Sequence, residues 1–273
     1  MTPGADRPPP GRPLQGSAAG PVFYHWRGVQ PFDAMVIANR VNATRSGHDG
    51  VPRVLLFEPA APVLSLGRRL HGLLGDGPST ACALGRPRDS DPPAHIDARA
   101  QQPPVAVPGH DRASLDAAFA RGLEVRLDDR GGGATLHQPG QLVALVAWPL
   151  PREAVSRFVD ATLRHLAHAL HELGADDVQA LIEGGDTGLW RGERKLLSAG
   201  LRHNHGIMRH GFALQIRGDL GHGRGLVLCG RRNQGFADLE DSALACAKNP
   251  VLAASTILAT ALSAAAPLAL CDA

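Results

Sequence analysis

Lysine is almost missing from this sequence. It occurs only at Lys195 and Lys248, and the rest of the 28 basic residues are arginine. Aromatic side chains make up 4% of the chain, too few for a surface that stacks nucleic-acid bases. The formal net charge is +2, so no strong field draws the protein to nucleic acid or to an anionic membrane. No unbroken run of 18 apolar residues occurs, and no transmembrane helix is expected. The four cysteines, Cys82, Cys229, Cys246 and Cys271, form neither a CxxC pair nor a compact framework. That pattern excludes a disulfide scaffold and fits reduced thiols in a cytoplasm. The phosphate-cradling GxxxxGK[ST] loop is absent, and no GxGxxG opens a helix.

The 273 residues are 44% hydrophobic, enough for a sizeable core in an ordinary globular protein. Residues 1–20 are rich in proline and glycine and lack the apolar stretch of a secretion signal, so they read as a disordered tail. A single domain is expected over 21–273, with a flexible Gly/Pro/Asp/Arg-rich insertion at about 70–112. The segment DAMVIANRVNATR spaces its apolar residues for an amphipathic helix through Val41. RVLLFEPAAPVLSLGRR gives two short strands around a proline turn, and SLDAAFARG followed by LEVRL gives a helix and a strand. QLVALVAWPL reads as a buried strand. The stripe Val155, Phe158, Val159, Thr162, Leu166, Ala169 and Leu173 predicts a long helix ending at Gly174. Three strands follow between Thr187 and Ile216, then an Ala-rich terminal helix. Strands and helices that do not alternate regularly predict an α+β fold.

Three segments can carry chemistry. In RGGGATLHQPGQL, Arg130 to Leu142, three glycines allow close backbone approach and expose N–H groups that can hold a carbonyl or an anion, although the same run reads equally as a plain loop between strands. In RKLLSAGLR, Lys195 is an ammonium kept where arginine is the habit. Unlike a guanidinium, an ammonium can be tuned and can give up its proton, whereas a surface lysine needs no such explanation. In LVLCGRRN, Cys229 ends an apolar run just before Gly230, where a thiol can face a ligand; a buried structural cysteine is the alternative. His165, His168 and His171 recur on the long helix without a cysteine or carboxylate at ligand spacing. They read as a solvated face, and no metal is expected.

Taken in order, these segments resemble the octanoyltransferases of lipoate biosynthesis, the lipoate-protein ligase B family. The family signature R-G-G-x-x-T-x-H-x-x-G-Q stands here as Arg130, Gly131, Gly132, Thr135, His137, Gly140 and Gln141. Thr187, Gly188 and Trp190 match its T-G-x-W, Lys195 to Arg202 its K-[IL]-x-[SA]-x-G strand, His210 to Gln215 its H-G-[FL]-A-L strand, and Cys229–Gly230 its C-G. The chain departs from the pattern at Leu228, where the family has proline, and at Leu136 and Leu145, where it has aromatics. The resemblance implies a biotin/lipoate protein ligase-like α+β fold, class II synthetase-like, with a mixed sheet flanked by helices.

The resemblance also implies a reaction. Cys229 would take an octanoyl group from octanoyl-acyl carrier protein as a thioester and pass it to a lysine of a lipoyl domain. Lys195 would raise the thiolate fraction and shuttle the proton. Exchange of thioesters is near neutral and the final amide runs downhill, so no ATP or other cofactor is implied. Arg130, Gly131, Gly132, Gly133, Ala134, Thr135, Leu136 and His137 would line the acyl site, with Ser198, Ala199 and Gly200 and with Gly211, Phe212 and Ala213. Acceptors would be the lipoyl domains of 2-oxoacid dehydrogenases and the glycine cleavage H protein. Two other classes stand beside this reading: an ATP-dependent lipoate or biotin ligase on the same fold, and a non-catalytic module that binds acyl carriers.

Overall fold

The computed structural model describes residues 12–13, 20–68, 70, 116, 118–182, 187–223 and 235–270. The proposed insertion falls almost wholly outside them, as do Cys229 and Gly230. Among the described residues, eleven strands form two sheets. The larger contains β1 (Arg12–Pro13), β2 (Val22–Gln30), β3 (Arg53–Pro59), β7 (Gln141–Pro149), β8 (Val178–Leu181), β9 (Gly188–Arg191), β10 (Arg194–Asn204) and β11 (Ile207–Gln215), in the order β1-β2-β3-β7-β11-β10-β9-β8. All its neighbours are antiparallel except β2 and β3. The smaller sheet has the order β5-β4-β6, from β4 (Val63–Leu66), β5 (Glu124–Leu127) and β6 (Ala134–His137). Within the expected tail, Arg12 and Pro13 pair with His25 and Tyr24.

β7 is the middle of the molecule and reads as an unbroken apolar run because both of its faces are buried. Leu142, Ala144, Val146 and Trp148 point into the main core, against helices α2 (Val155–His171) and α3 (Pro250–Leu270). Val143 and Leu145 point the other way, to a second core under α1 (Phe32–Asp49). α2 buries Phe158, Val159, Thr162, Leu163, Leu166, Ala167 and Leu170, the stripe its period predicts shifted slightly around the axis. His165 and His168 are exposed, while the His171 ring meets the Val178 carbonyl at 2.7 Å.

α3 is long and apolar enough on average to cross a membrane, and Ser255, Thr256, Thr260 and Ser263 break its apolar run. These hydroxyls bond to carbonyls one turn back. Ala254, Leu258, Ala261, Leu262 and Ala265 form its inward face in the main core.

α1 turns a different face inward from the one its apolar residues mark. Phe32, Met35, Asn39, Asn42 and Ser46 are buried, whereas Ile37 and Val41 are exposed. Two of the polar members are partnered: Asn39 donates from Nδ2 to the Val146 carbonyl at 3.2 Å, and Ser46 Oγ accepts from Arg53 at 3.3 Å. The helix also runs past the predicted end, to Asp49, where Gly50 caps it in a left-handed conformation. Met35→Ala should therefore cost about 2–5 kcal/mol in denaturant unfolding, while Ile37→Ala should stay within about 0.5 kcal/mol of the parent.

Candidate active site

The two sheets meet where Arg130 is buried. Its guanidinium donates from Nε to Ser65 Oγ at 3.2 Å and from a terminal nitrogen to the Ser65 carbonyl at 2.6 Å, so both bonds reach β4. The other terminal nitrogen donates to the Gly131 carbonyl at 3.0 Å, and Asp128 lies 3.8 Å away. Arg130 thus acts as a strut, and its stem lies so close to Gly200 on β10 that an added Cβ there would stand 3.0 Å from Arg130 Cδ.

The glycine run after Arg130 threads a tight space. The Gly131 N–H donates to the Leu201 carbonyl of β10 at 3.2 Å, so it is spent on the fold and does not serve a ligand. A Cβ on Gly131 would come within 2.8 Å of that same carbonyl, and one on Gly67 within 2.5 Å of the Gly132 carbonyl. β6 then alternates. Thr135 and His137 face the space between the sheets, while Ala134 and Leu136 pack with Leu64, Leu66 and Val125 in the core of the smaller sheet.

That space is a narrow, partly open pocket. Arg130, Thr135, His137, Ser198, Gly200, Gly211, Phe212 and Ala213 line it, and all are among the residues marked by the sequence. Phe32, Asp128, Val143, Leu145 and His210 line it too and are absent from the predicted acyl-site set. His210 had a signal, since it opens the HGFALQ strand; Phe32, at the first turn of a helix, had none. Gly131, Gly132, Gly133, Ala134, Leu136 and Ala199 stand outside the lining. Ala199 packs against the main core on the opposite face of β10.

His137 is a fixed acceptor. Gln141 donates from Nε2 to the Leu136 carbonyl at 3.1 Å, which turns its Oε1 toward His137 Nδ1 at 2.9 Å. Nδ1 therefore carries the proton and Nε2 is left with a lone pair. Burial, reinforced by the Arg130 charge, pushes the ring's pKa down to about 4 against the opposing effects of Gln141 and Asp128, so the imidazole is neutral at neutral pH. Phe32 stacks on its face, with centroids 4.4 Å apart.

His210 takes a left-handed backbone, φ +64, and its ring lies between two carboxylates, with Nδ1 3.4 Å from Asp128 and Nε2 2.5 Å from Asp129. Asp129 also pairs with Arg202 at 2.5 Å and Arg209 at 2.8 Å. Burial pushes its carboxyl up, but the His210 ring and the two arginines outweigh this and hold it below the usual carboxylate range. Asp128, Asp129 and His210 could offer three metal ligands within 4.8 Å of one another. Three arginines already offset that negative charge, which suits an ion-pair network better than a cation site.

Lys195 is 4% exposed, with Nζ 5.0 Å from the centre of the Trp190 ring. Its side chain passes the bare backbone of Gly188, where a Cβ would stand 2.9 Å from Lys195 Cε. Gly188 pairs with Ser198, so the lysine runs beside the strand position that lines the pocket. Phe236 bridges to Lys195, whose N–H donates to the Gly235 carbonyl at 3.4 Å.

Residues 99–243 match the family model for the lipoyl protein ligase A/B catalytic domain, more than half of the chain. The chain belongs to this family. It is 32% identical over 126 residues to an octanoyltransferase of Magnetococcus marinus, covering 44% of this chain and 56% of that protein. It is 30% identical over 149 residues to an octanoyltransferase of Alkaliphilus metalliredigens, covering 52% of this chain and 67% of the relative. The matches thus span between about half and two thirds of the relatives' length. Among solved structures, a lipoate-protein ligase A bound with ATP superposes with a TM-score of 0.53 at 15% identity, over 89% of this chain and 85% of that one. A bi-partite lipoate protein ligase from Thermoplasma acidophilum gives 0.51 at 13%, over 89% and 83%. These likenesses establish the biotin/lipoate ligase-like α+β fold.

The His137 tautomer has a measurable consequence. Its folded pKa, about 4, lies below the ordinary value near 6.5, so acid favours the unfolded chain, which takes up the proton first. The stability due to the neutral ring is complete above about pH 6.5 and is lost as pH falls toward 4, to the order of 3 kcal/mol. His137→Gln should show a shallower fall in unfolding free energy over that window than the parent.

Proposed function

We propose that this protein is an octanoyl-acyl carrier protein:protein N-octanoyltransferase. The observation that carries the reading is the buried Lys195, whose stem passes Gly188, the pairing partner of the pocket-lining Ser198. The octanoyltransferase relatives support the choice of acyl group. Residues 21–273 would act as one catalytic domain, in a reducing cytoplasm.

The steps follow from the groups. The Cys229 thiolate attacks the thioester carbonyl of the octanoyl donor, a new carbon–sulfur bond forms, and the carrier thiolate leaves, taking a proton. The amine of an acceptor lysine then attacks the octanoyl-cysteine, an amide forms, and the Cys229 sulfur leaves as thiolate while the amine loses its proton. Lys195 holds positive charge beside the thiolate and is the group that can exchange these protons. Apolar Val143, Leu145 and Phe32 surround the chain, and each methylene they bury contributes about 0.8 kcal/mol. The acceptors would be lipoyl domains, including those of 2-oxoacid dehydrogenases, and the glycine cleavage H protein.

Incubation with octanoyl-acyl carrier protein and no ATP, followed by intact-protein mass spectrometry, tests this directly. The parent should carry a hydroxylamine-sensitive octanoyl adduct and Cys229→Ser none. Transfer that occurs only from free octanoate with ATP would move the protein to the ligases, and binding without transfer would make it a carrier-binding module. Lys195→Arg keeps the charge but cannot exchange the proton, so turnover should fall about 100-fold or more in a lipoyl-domain acylation assay.

A further inference from the structure

We infer that Phe32 is the stop that sets the length of acyl chain this pocket accepts, an inference that rests on the acyl-transfer reading. One layer of residues crosses the pocket floor from strand to strand: Ser198 on β10 faces Ala213 on β11, which faces Val143 on β7, which faces Phe57 on β3. Ser198 is the end beside Lys195, through its pairing with Gly188. Ala213 and the neighbouring Gly211 are small, so a chain can lie across β11. Two strand spacings, about 9.6 Å, separate Ser198 from Val143. An extended eight-carbon chain, advancing about 1.25 Å per carbon–carbon bond, is about 9 Å long. It therefore ends over Val143, where Phe32 stands.

The Phe32 ring is held there firmly. It stacks on His137, lies 6.4 Å from the Phe57 ring and is 6% exposed. Its backbone is the first residue of α1, and the next turn begins with Met35 donating to the Pro31 carbonyl. Phe32 also lines a second, roomier cavity, together with Pro31, Asp33, Ala60, Ala61, Val63 and Glu124. Phe32 is thus the partition between an acyl pocket of eight-carbon length and unused space beyond. Without its ring the two cavities join in the direction in which the chain already points.

The test is a competition among octanoyl-, decanoyl- and dodecanoyl-acyl carrier protein for one lipoyl domain, with products counted by mass spectrometry. Phe32→Ala should raise the dodecanoyl-to-octanoyl ratio at least tenfold over the parent. Phe32→Leu, which preserves a buried apolar residue and protects against a loss of fold, should raise the decanoyl ratio about threefold. Ratios within twofold of the parent in either folded variant, checked by thermal unfolding, would overturn the assignment. Failure of the parent to transfer any of the three chains is a different result. It would remove the acyl-transfer reading itself, and the ruler with it.

Discussion

The site depends on a single buried guanidinium. Arg130 spans the gap between the two sheets with bonds to Ser65 and to the Gly131 carbonyl, and lies flat on Gly200. A charge of this kind costs several kcal/mol to bury, and loss of one partner of such a pair typically costs about 3–5 kcal/mol. Arginine suits the task because its planar fork bonds two acceptors on one strand while a third nitrogen reaches the loop. The glycines around it are then required, since Gly67, Gly131 and Gly200 bring three backbone segments within contact of one side chain and of each other.

With the sheets held in this way, the pocket inherits two kinds of wall. The larger sheet supplies a floor of small and apolar residues, Gly211, Ala213, Val143 and Leu145, and the smaller supplies Thr135 and His137. The polar groups are preorganised. Gln141 fixes the His137 tautomer, and Asp129 is fixed by Arg202, Arg209 and His210. Such groups need little reorganisation when charge develops nearby, which is the condition under which electrostatic stabilisation is effective. The strain of the left-handed His210 backbone is retained because two carboxylates hold its ring.

Elements with a strong period were legible in the sequence. β7 announced itself by an apolar run and α2 by a stripe of seven residues, because burial there is carried mainly by hydrophobic side chains. The inward face of α1 was not, since Asn39 and Asn42 are buried and a buried polar residue looks like an exposed one in a periodicity count. β6 was hidden inside a glycine-rich stretch, although its four residues decide which of the marked side chains reach the pocket. Ala134, Leu136 and Ala199 belong to the right segments but point away, a consequence of the period of two that a motif does not record. Val143 and Leu145 enter the pocket through pairings between strands far apart in the chain, and Phe32 through the packing of α1 against β7; local sequence records neither.

The scarcity of lysine acquires a steric meaning once Lys195 is placed. Its Cε occupies the space that a side chain at position 188 would fill, and its ammonium stands over the face of Trp190. The slot accepts a slim methylene stem ending in a compact charge. A planar guanidinium is wider and carries five donors in a fixed fork, and the indole face offers attraction but no lone pair to accept them. An ammonium beside a π-face is stabilised as a cation by the ring, and unlike a guanidinium it is a group that can exchange a proton. Arginine in the same slot would lose the first through misfit and could never provide the second. Base composition can explain why nearly every other cation is arginine, but at position 195 the geometry selects lysine.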